Sequence, residues 1–167
     1  MREVKISRSE SKIFDFYFQD IMPSYSECIK FDGERPDNKT VLDLEDDAAY
    51  IAFGGNWRMP TKEEWQELID NCNVEWTTLN NVVGRKFTSR KPGYTEKWIF
   101  LPASGYRDGN NGATDVRYAG SSGYYWSASS SGNNVAFDLH FNNVNVLPNH
   151  NNARLRTQSV RLVTEVK

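Results

Sequence analysis

The sequence predicts an α+β fold in which two helices come first and short antiparallel strands with long loops follow. Two segments between about residues 44 and 72 carry apolar residues at helical spacing, and later segments alternate with a period of two. Helices and strands do not alternate along the chain, which argues against a parallel sheet built from βαβ units. No internal repeat or linker divides the 167 residues, so we predict a single domain over 1–167.

The first helix is predicted from about Leu44 to Ala52. Asp43 is the expected N-cap, since a carboxylate accepts hydrogen bonds from the free N–H groups of a first turn. Gly54-Gly55 is expected to end this helix.

The second helix is predicted to begin after Thr61. Thr61-Lys62-Glu63-Glu64 is a capping box, in which the threonine hydroxyl and the Glu64 carboxylate each satisfy a backbone N–H. Pro60 keeps the preceding residue extended and so sets the start of the helix. One apolar stripe at helical spacing follows, formed by Trp65, Leu68, Ile69 and Cys72.

Strands are predicted at 74–78, 85–89, 97–101, 124–127 and 135–141, and at 159–166 with residues 3–6 beside it. The segment from 135 alternates most regularly, and a tight Asn142-Asn143 turn is expected to return the chain through Val144 and Val146. An antiparallel sheet with one wet face explains this alternation. The apolar side is Val135, Phe137, Leu139 and Phe141, and the polar side is Asn134, Ala136, Asp138, His140 and Asn142.

The chain has two cysteines, Cys28 and Cys72, which are not spaced as a CxxC motif. Because Cys72 falls on the apolar stripe of the second helix, a buried free thiol is favoured over a disulfide. The cysteines therefore do not identify the cellular compartment of the protein.

Several segments resemble the Fibrobacter succinogenes major paralogous domain family. Residues 55–65 read G-N-W-R-M-P-T-K-E-E-W, which is similar to the family signature G-x-W-R-[LM]-P-T-x-x-E-W. The resemblance continues, in the same order, in the segments 37–43, 46–49, 99–109, 123–127 and 158–163. It covers about 37–163, and the first 36 residues match poorly.

The resemblance implies a C-type-lectin-like fold, with two helices flanking small antiparallel sheets and loops gathered at one end. Similar domains are typical of surface and secreted proteins of gut-type Bacteroidetes. The fold also includes formylglycine-generating-type enzymes and the variable ligand-binding proteins diversified by retroelements. Residues 133–152 contain eight asparagines and resemble the diversified region of those variable proteins.

The composition and motifs disfavour several functional classes. A net charge of −2 gives no drive toward nucleic acid, and no run of about 20 apolar residues is available for membrane insertion. The first residues lack the apolar region of a secretory signal, which leaves a cytoplasmic or phage-borne origin open beside the surface location that the resemblance implies. No nucleophile elbow, phosphate loop or zinc spacing occurs, and calcium-lectin triplets are missing. We therefore predict no enzyme activity, no cofactor and no metal site.

The predicted function is recognition of an extracellular glycan or protein through the Asn-rich C-terminal surface. Asparagine amides offer two donors and an acceptor, and aromatic rings add contact area. The alternatives are a structural or adhesive surface module without hypervariation, and a relative of the formylglycine-generating oxidoreductases. The oligomeric state is left open. The predicted ligand-binding residues are Tyr106, Tyr125, Trp126, Asn133, Asn134, Asp138, His140, Asn142, Asn143, Asn145, Asn149, His150, Asn151, Asn152 and Arg154.

Overall fold

A computed structural model describes residues 4–5, 31–32, 35–36, 39–108, 116–132 and 134–165. Strands make up about half of the structure and helices 15%. The protein is mainly β, so the predicted α+β class is wrong, and with it the C-type-lectin-like arrangement of two helices flanking small sheets. The reason is that serine- and asparagine-rich stretches expected to be loops pair as long strands, whereas the first helix is short.

The first helix, α1, is Ala48–Phe53, preceded by a 3₁₀ turn at Leu44–Asp46. Its N-cap is Asp47 and not the predicted Asp43, whose side chain makes no capping bond. The buried Asp47 carboxylate accepts the N–H of Ala49 at 2.8 Å and the N–H of Met59 at 2.8 Å. The Asp47 carboxylate therefore caps α1 and also connects the helix to the segment that contains Met59.

The second helix, α2, is Lys62–Asp70, and its capping box is confirmed. Glu64 also pairs with Arg58, whose two Nη atoms donate to the two carboxylate oxygens at 2.7 and 2.6 Å. Burial opposes ionisation of Glu64, but the hydrogen bonds from Arg58 and from the Thr61 N–H lower its pKa. The Arg58–Glu64 pair therefore fixes the entry to α2.

The first sheet has the order β4-β5-β6, with β4 at Cys72–Leu79, β5 at Val82–Ser89 and β6 at Trp98–Pro102. Asn80 and Asn81 connect β4 and β5 with φ angles of 50° and 65°, the left-handed pair that a two-residue hairpin turn requires. Cys72 begins β4 instead of ending the helical stripe. It is a partly buried free thiol, and Cys28 lies outside the described residues.

The second sheet has the order β11-β10-β9, with β9 at Ser122–Gly132, β10 at Val135–Asn142 and β11 at Val146–Ala153. Its neighbour is a short hairpin of β7 (Tyr106–Arg107) and β8 (Val116–Arg117). The predicted pairing of the chain ends is confirmed by β1 (Val4–Lys5) and β12 (Thr164–Glu165). A further small hairpin consists of β2 (Phe31–Asp32) and β3 (Arg35–Pro36).

Both faces of the second sheet are covered. On one face Leu139 and Phe141, each 0% exposed, pack with Trp65 of α2 and Phe87 of β5. On the other face a second core contains Ala48, Ala49, Met59, Trp126 and Ala128, with Ala136 packed against it. The prediction of one wet face is therefore wrong, although the predicted apolar side of β10 is confirmed at Leu139 and Phe141.

Neither α-helix in the described part of the chain has the length and apolar character that crossing a membrane demands.

Candidate functional site

The exposed asparagines of the predicted site do not form one surface. Asn134 lies at the turn between β9 and β10, whereas Asn143 and Asn145 lie at the opposite end of β10. Eight residues of strand separate these ends by about 25 Å. Asn149 and Asn151 are exposed on β11, and Asn133 lies outside the described residues.

Two predicted binding residues stabilise the hairpin itself. The Asn142 side-chain oxygen accepts the N–H groups of Val144 and Asn145, each at 2.8 Å, and so shapes the turn between β10 and β11. Arg154 donates to the Ser130 hydroxyl at 2.7 Å and holds the other end of the hairpin. These side chains are committed to structure.

Tyr125 and Trp126 lie in the two cores and not at a ligand surface. Tyr125 is 4% exposed, and its hydroxyl donates to the Pro102 carbonyl at 2.9 Å. Trp126 is 7% exposed and packs in the second core.

Five rings meet beside the second core, and we call them the His–Tyr cluster: Tyr106, Tyr118, Tyr124, His140 and His150. The His140 ring stacks on Tyr124 with centroids 4.5 Å apart and an interplanar angle of 19°. Tyr106 contacts the edge of Tyr124 at 5.0 Å, and Tyr118 lies 5.8 Å from Tyr106. The His140 and His150 centroids are 4.9 Å apart.

Strand register assembles this cluster. On β10, His140 lies opposite Tyr124 of β9, and Asp138 lies opposite His150 of β11. Because side chains two residues apart share a face, Asp138 and His140 come to the same side of the sheet. The β7–β8 hairpin then supplies Tyr106, and Tyr118 follows directly after β8.

Asp138 is the buried anchor of the cluster. It is 0% exposed, and its Oδ1 lies 2.6 Å from Nδ1 of His150. The Asn152 amide reaches the other carboxylate oxygen at 3.5 Å. The His150 side chain is 32% exposed. This bond orients the ring and engages Nδ1, so the other ring nitrogen of His150 is Nε2.

Within the cluster, His140 is the side chain whose hydrogen-bonding groups are left unpaired, as are those of Gln158 elsewhere among the described residues. Both of its ring nitrogens are buried, and neither has a hydrogen-bond partner among the described residues. Burial lowers the pKa of His140, and the neighbouring His150 lowers it further, while Asp138 acts in the opposite direction. The ring is therefore neutral at pH 7 and offers one N–H donor and one bare acceptor.

Arg156 closes the other side of the cluster. Its guanidinium lies over the Tyr106 ring at 4.5 Å, and Nη1 donates to the Asn152 side-chain oxygen. The buried Asn152 side chain bonds Arg156 through its oxygen and Asp138 through its amide nitrogen, and so links the two residues. Burial also raises the pKa of the Tyr124 hydroxyl, which remains a neutral donor and acceptor.

A group of three carboxylates, those of Asp43, Glu45 and Asp46, has ligand atoms within 4.8 Å of one another in the described part of the chain. It lies on the partly exposed 3₁₀ turn, where Lys39 pairs with Asp43. The turn geometry accounts for this group, and it lies apart in sequence from the His–Tyr cluster.

Sequence reasoning found part of this site. Tyr106, Asp138, His140, His150 and Asn152 were predicted, and the structure brings them together. The sequence did not predict Tyr118, Tyr124 or Arg156 as members of the site. Alternation within the segment 124–127 was a usable signal, but the choice between Tyr124 and Tyr125 needs the register of β9 against β10.

Comparison with known families gives one match. Residues 69–163, which include the whole His–Tyr cluster, match the family described as Domain of unknown function (DUF8237). Neither curated proteins nor solved structures show a significant match to the chain.

Proposed function

The chain belongs to the DUF8237 family, whose function is unknown, and from its geometry we propose that it binds a glycan at the His–Tyr cluster without transforming it. The proposal keeps the predicted class of function and moves the site from the asparagine amides to the five rings.

The observation that carries the proposal is the unpaired His140 ring. A buried polar atom without a partner costs about 1–3 kcal/mol, so two such atoms in one ring call for an explanation. A sugar hydroxyl both donates and accepts, and it therefore matches a neutral imidazole that offers one donor and one acceptor. Because both nitrogens are buried in the structure, the proposal includes a side-chain movement that exposes them when the sugar binds.

The rings beside His140 supply the apolar half of such a site. Tyr118 is 56% exposed, while Tyr106 and Tyr124 are 7% and 8% exposed and support it from below. An exposed ring held by buried rings presents a flat, pre-ordered face to the C–H side of a sugar at little entropic cost.

The exposed asparagines enter this proposal only as neighbours. Asn149 and Asn151 flank His150 on β11 and are exposed, and because side chains alternate along a strand they point away from the face that carries the His150 ring. A role for retroelement diversification, kinship with the major paralogous domains and a surface location stay predictions. The structural or adhesive module remains the main alternative.

A second candidate function, acid–base catalysis, is favoured by the Asp138–His150 pair. A buried carboxylate bonded to Nδ1 at 2.6 Å orients the imidazole as it does in hydrolytic triads. The two functions differ in one readout, since a binding domain leaves a bound oligosaccharide intact and an enzyme releases a product.

The test is a titration with neutral gluco-, galacto- and manno-oligosaccharides, followed through imidazole nitrogen NMR signals. The chain has only two histidines, so each signal is assigned from a single variant. We expect at least one series to shift both imidazoles without cleavage of the sugar. Tyr118→Ala should weaken binding about tenfold, and Tyr94→Ala, which removes a similarly exposed ring from the loop between β5 and β6, should not. Absence of imidazole shifts in every series, or equal effects of the two variants, would refute the proposal.

A further inference from the structure

We propose that His140 and His150 together bind one divalent metal ion of the class that prefers imidazole ligands, such as Zn²⁺. The site goes beyond the glycan proposal, because it needs no sugar and uses one nitrogen of each ring. The sequence predicted no metal site, since it contains no zinc-binding spacing. The pairing of β10 with β11 nevertheless brings the two histidine rings together.

The distance between the two rings fits a shared ion. Their centroids are 4.9 Å apart, and the ring planes meet at 48°. A zinc ion lies about 2.0–2.1 Å from a ligating imidazole nitrogen, and therefore about 3.2 Å from the ring centroid. Two rings that bind one ion at an angle of about 90–110° have centroids about 4.5–5.2 Å apart. The observed separation falls inside this range, so the strands hold the rings at the spacing of two ligands.

His150 is oriented in the way that metal-binding histidines are. Its Nδ1 lies 2.6 Å from Oδ1 of Asp138, which is 0% exposed. A ligating histidine almost always gives its other ring N–H to a carboxylate, a carbonyl or water, and a carboxylate fixes the ring and makes the ligating nitrogen more basic. With the proton on Nδ1, the lone pair that a metal requires is on Nε2. The His150 side chain is 32% exposed, which gives an ion a path from solvent.

His140 supplies the second nitrogen. Both of its ring nitrogens are buried without a hydrogen-bond partner among the described residues. A neutral imidazole has one nitrogen with a lone pair and one that carries a proton. A metal ion satisfies the first and leaves the N–H to a sugar hydroxyl, so the metal and the glycan use different atoms of the ring. Metal binding includes a side-chain rotation that turns the lone pair of His140 toward Nε2 of His150.

The ligands select the class of ion. Imidazole nitrogens suit Zn²⁺, Cu²⁺ and Ni²⁺, whereas Ca²⁺ and Mg²⁺ prefer oxygen ligands. Within the part of the chain that the structure describes, the three carboxylates of the 3₁₀ turn are the only group of three metal-ligating side chains with ligand atoms within 4.8 Å of one another. The histidines therefore form a site with two protein ligands, and its other positions are open to water or hydroxyl groups. We expect weaker binding than in structural zinc sites, which have four protein ligands.

Calorimetry with ZnCl₂ at pH 7.5, on the full chain without a histidine tag, tests the site. We expect about one equivalent of Zn²⁺ to bind and the nitrogen NMR signals of both imidazoles to shift. MgCl₂ is the control ion and should shift neither imidazole. Mg²⁺ binding as tightly as Zn²⁺, or a shift of one imidazole alone, would contradict a shared nitrogen site.

Substitutions locate the bound ion. His140→Gln and His150→Gln should each weaken Zn²⁺ binding at least about tenfold, because each removes one of two ligands. Two controls should keep the affinity: Asp46→Asn, which alters the carboxylate group on the 3₁₀ turn, and the double variant Cys28→Ser/Cys72→Ser, which removes both thiols. Thermal melts establish that each variant folds, and the partly exposed His150 is the ligand whose loss disturbs packing less. Unchanged affinity in His150→Gln, or a tenfold loss in either control, would place the ion elsewhere.

Copper provides a readout that a structural role of the histidines does not produce. The electron paramagnetic resonance spectrum of the protein with one equivalent of Cu²⁺ should show coupling to two imidazole nitrogens. In His150→Gln it should show coupling to one. A spectrum that is the same in both proteins would overturn the assignment.

The metal site and the glycan site are tested by different outcomes. If neutral oligosaccharides shift the imidazole signals in the presence of EDTA and Zn²⁺ does not bind, the glycan proposal stands and the metal site is wrong. If Zn²⁺ binds through both histidines and no sugar shifts them with or without the ion, the metal site stands and the glycan proposal is wrong.

Discussion

Replacing Asp138 tests whether the His–Tyr cluster is organised by one buried carboxylate. Asp138 is 0% exposed and makes a 2.6 Å bond to His150, and the contact from Asn152 at 3.5 Å is long. A hydrogen bond to a charged group contributes about 1.5–3 kcal/mol, but the His150 side chain is 32% exposed, so water replaces part of it. We expect Asp138→Ala to lower the free energy of unfolding by about 2–3 kcal/mol.

Urea denaturation of Asp138→Ala, His150→Ala and the double variant measures this directly. The double-variant cycle should give a coupling energy of about 1–2 kcal/mol between the two side chains. Asp70→Ala is the control, because Asp70 is exposed and, among the residues that the structure describes, its side chain bonds only Gln66. That control should cost less than about 0.5 kcal/mol.

The substitution should also be detectable at His150 by NMR. In Asp138→Ala the His150 imidazole signals should move, because Nδ1 loses its acceptor. A loss of stability no larger than that of Asp70→Ala, or a coupling energy near zero, would show that Asp138 does not anchor His150.

The remaining predictions concern packing, capping and pH. Gly123→Ala should lower the free energy of unfolding by about 3 kcal/mol, because the new Cβ falls 2.1 Å from Cζ of the buried Phe141; Phe141→Leu should recover part of this in urea denaturation. Thr61→Ala should cost about 1 kcal/mol by removing the acceptor for the Glu64 N–H, which thermal unfolding will measure. The pKa of His140 is lowered in the folded protein, so the unfolded chain binds more protons below about pH 6.5 and the free energy of unfolding should fall as the pH decreases. Denaturation at pH 7.5 and 5.5 should show a smaller fall in the free energy of unfolding for His140→Phe than for the unmodified protein.

Local sequence signals predicted local structure well. The Thr61 capping box is confirmed, and Asn80-Asn81 forms the tight turn between two predicted strands. The apolar alternation of β10 also placed Leu139 and Phe141 in the core. Each of these depends on residues within a few positions of one another, so interactions along the chain are enough to determine them.

The site was predicted only in part because its contacts are not local. The polar side of β10 was expected to face water, but Asp138 is buried by residues of other elements. The density of asparagines led to a predicted site that includes the hairpin ends, but there the Asn142 side chain bonds the backbone of the turn. Tyr118 and Arg156 gave no signal, because their proximity depends on how separate segments pack.

The sequence by itself therefore determined where α2 begins, which face of β10 is apolar, and that His140 and Asp138 share a side. Backbone geometry and neighbouring side chains decide such features at short range. Only the tertiary structure decided that this side is covered, that Tyr124 and not Tyr125 stacks on His140, and that Asp138 holds His150. Strand register and the burial of a second face arise from contacts between distant segments, and a shift of one residue would exchange the two sides of β9.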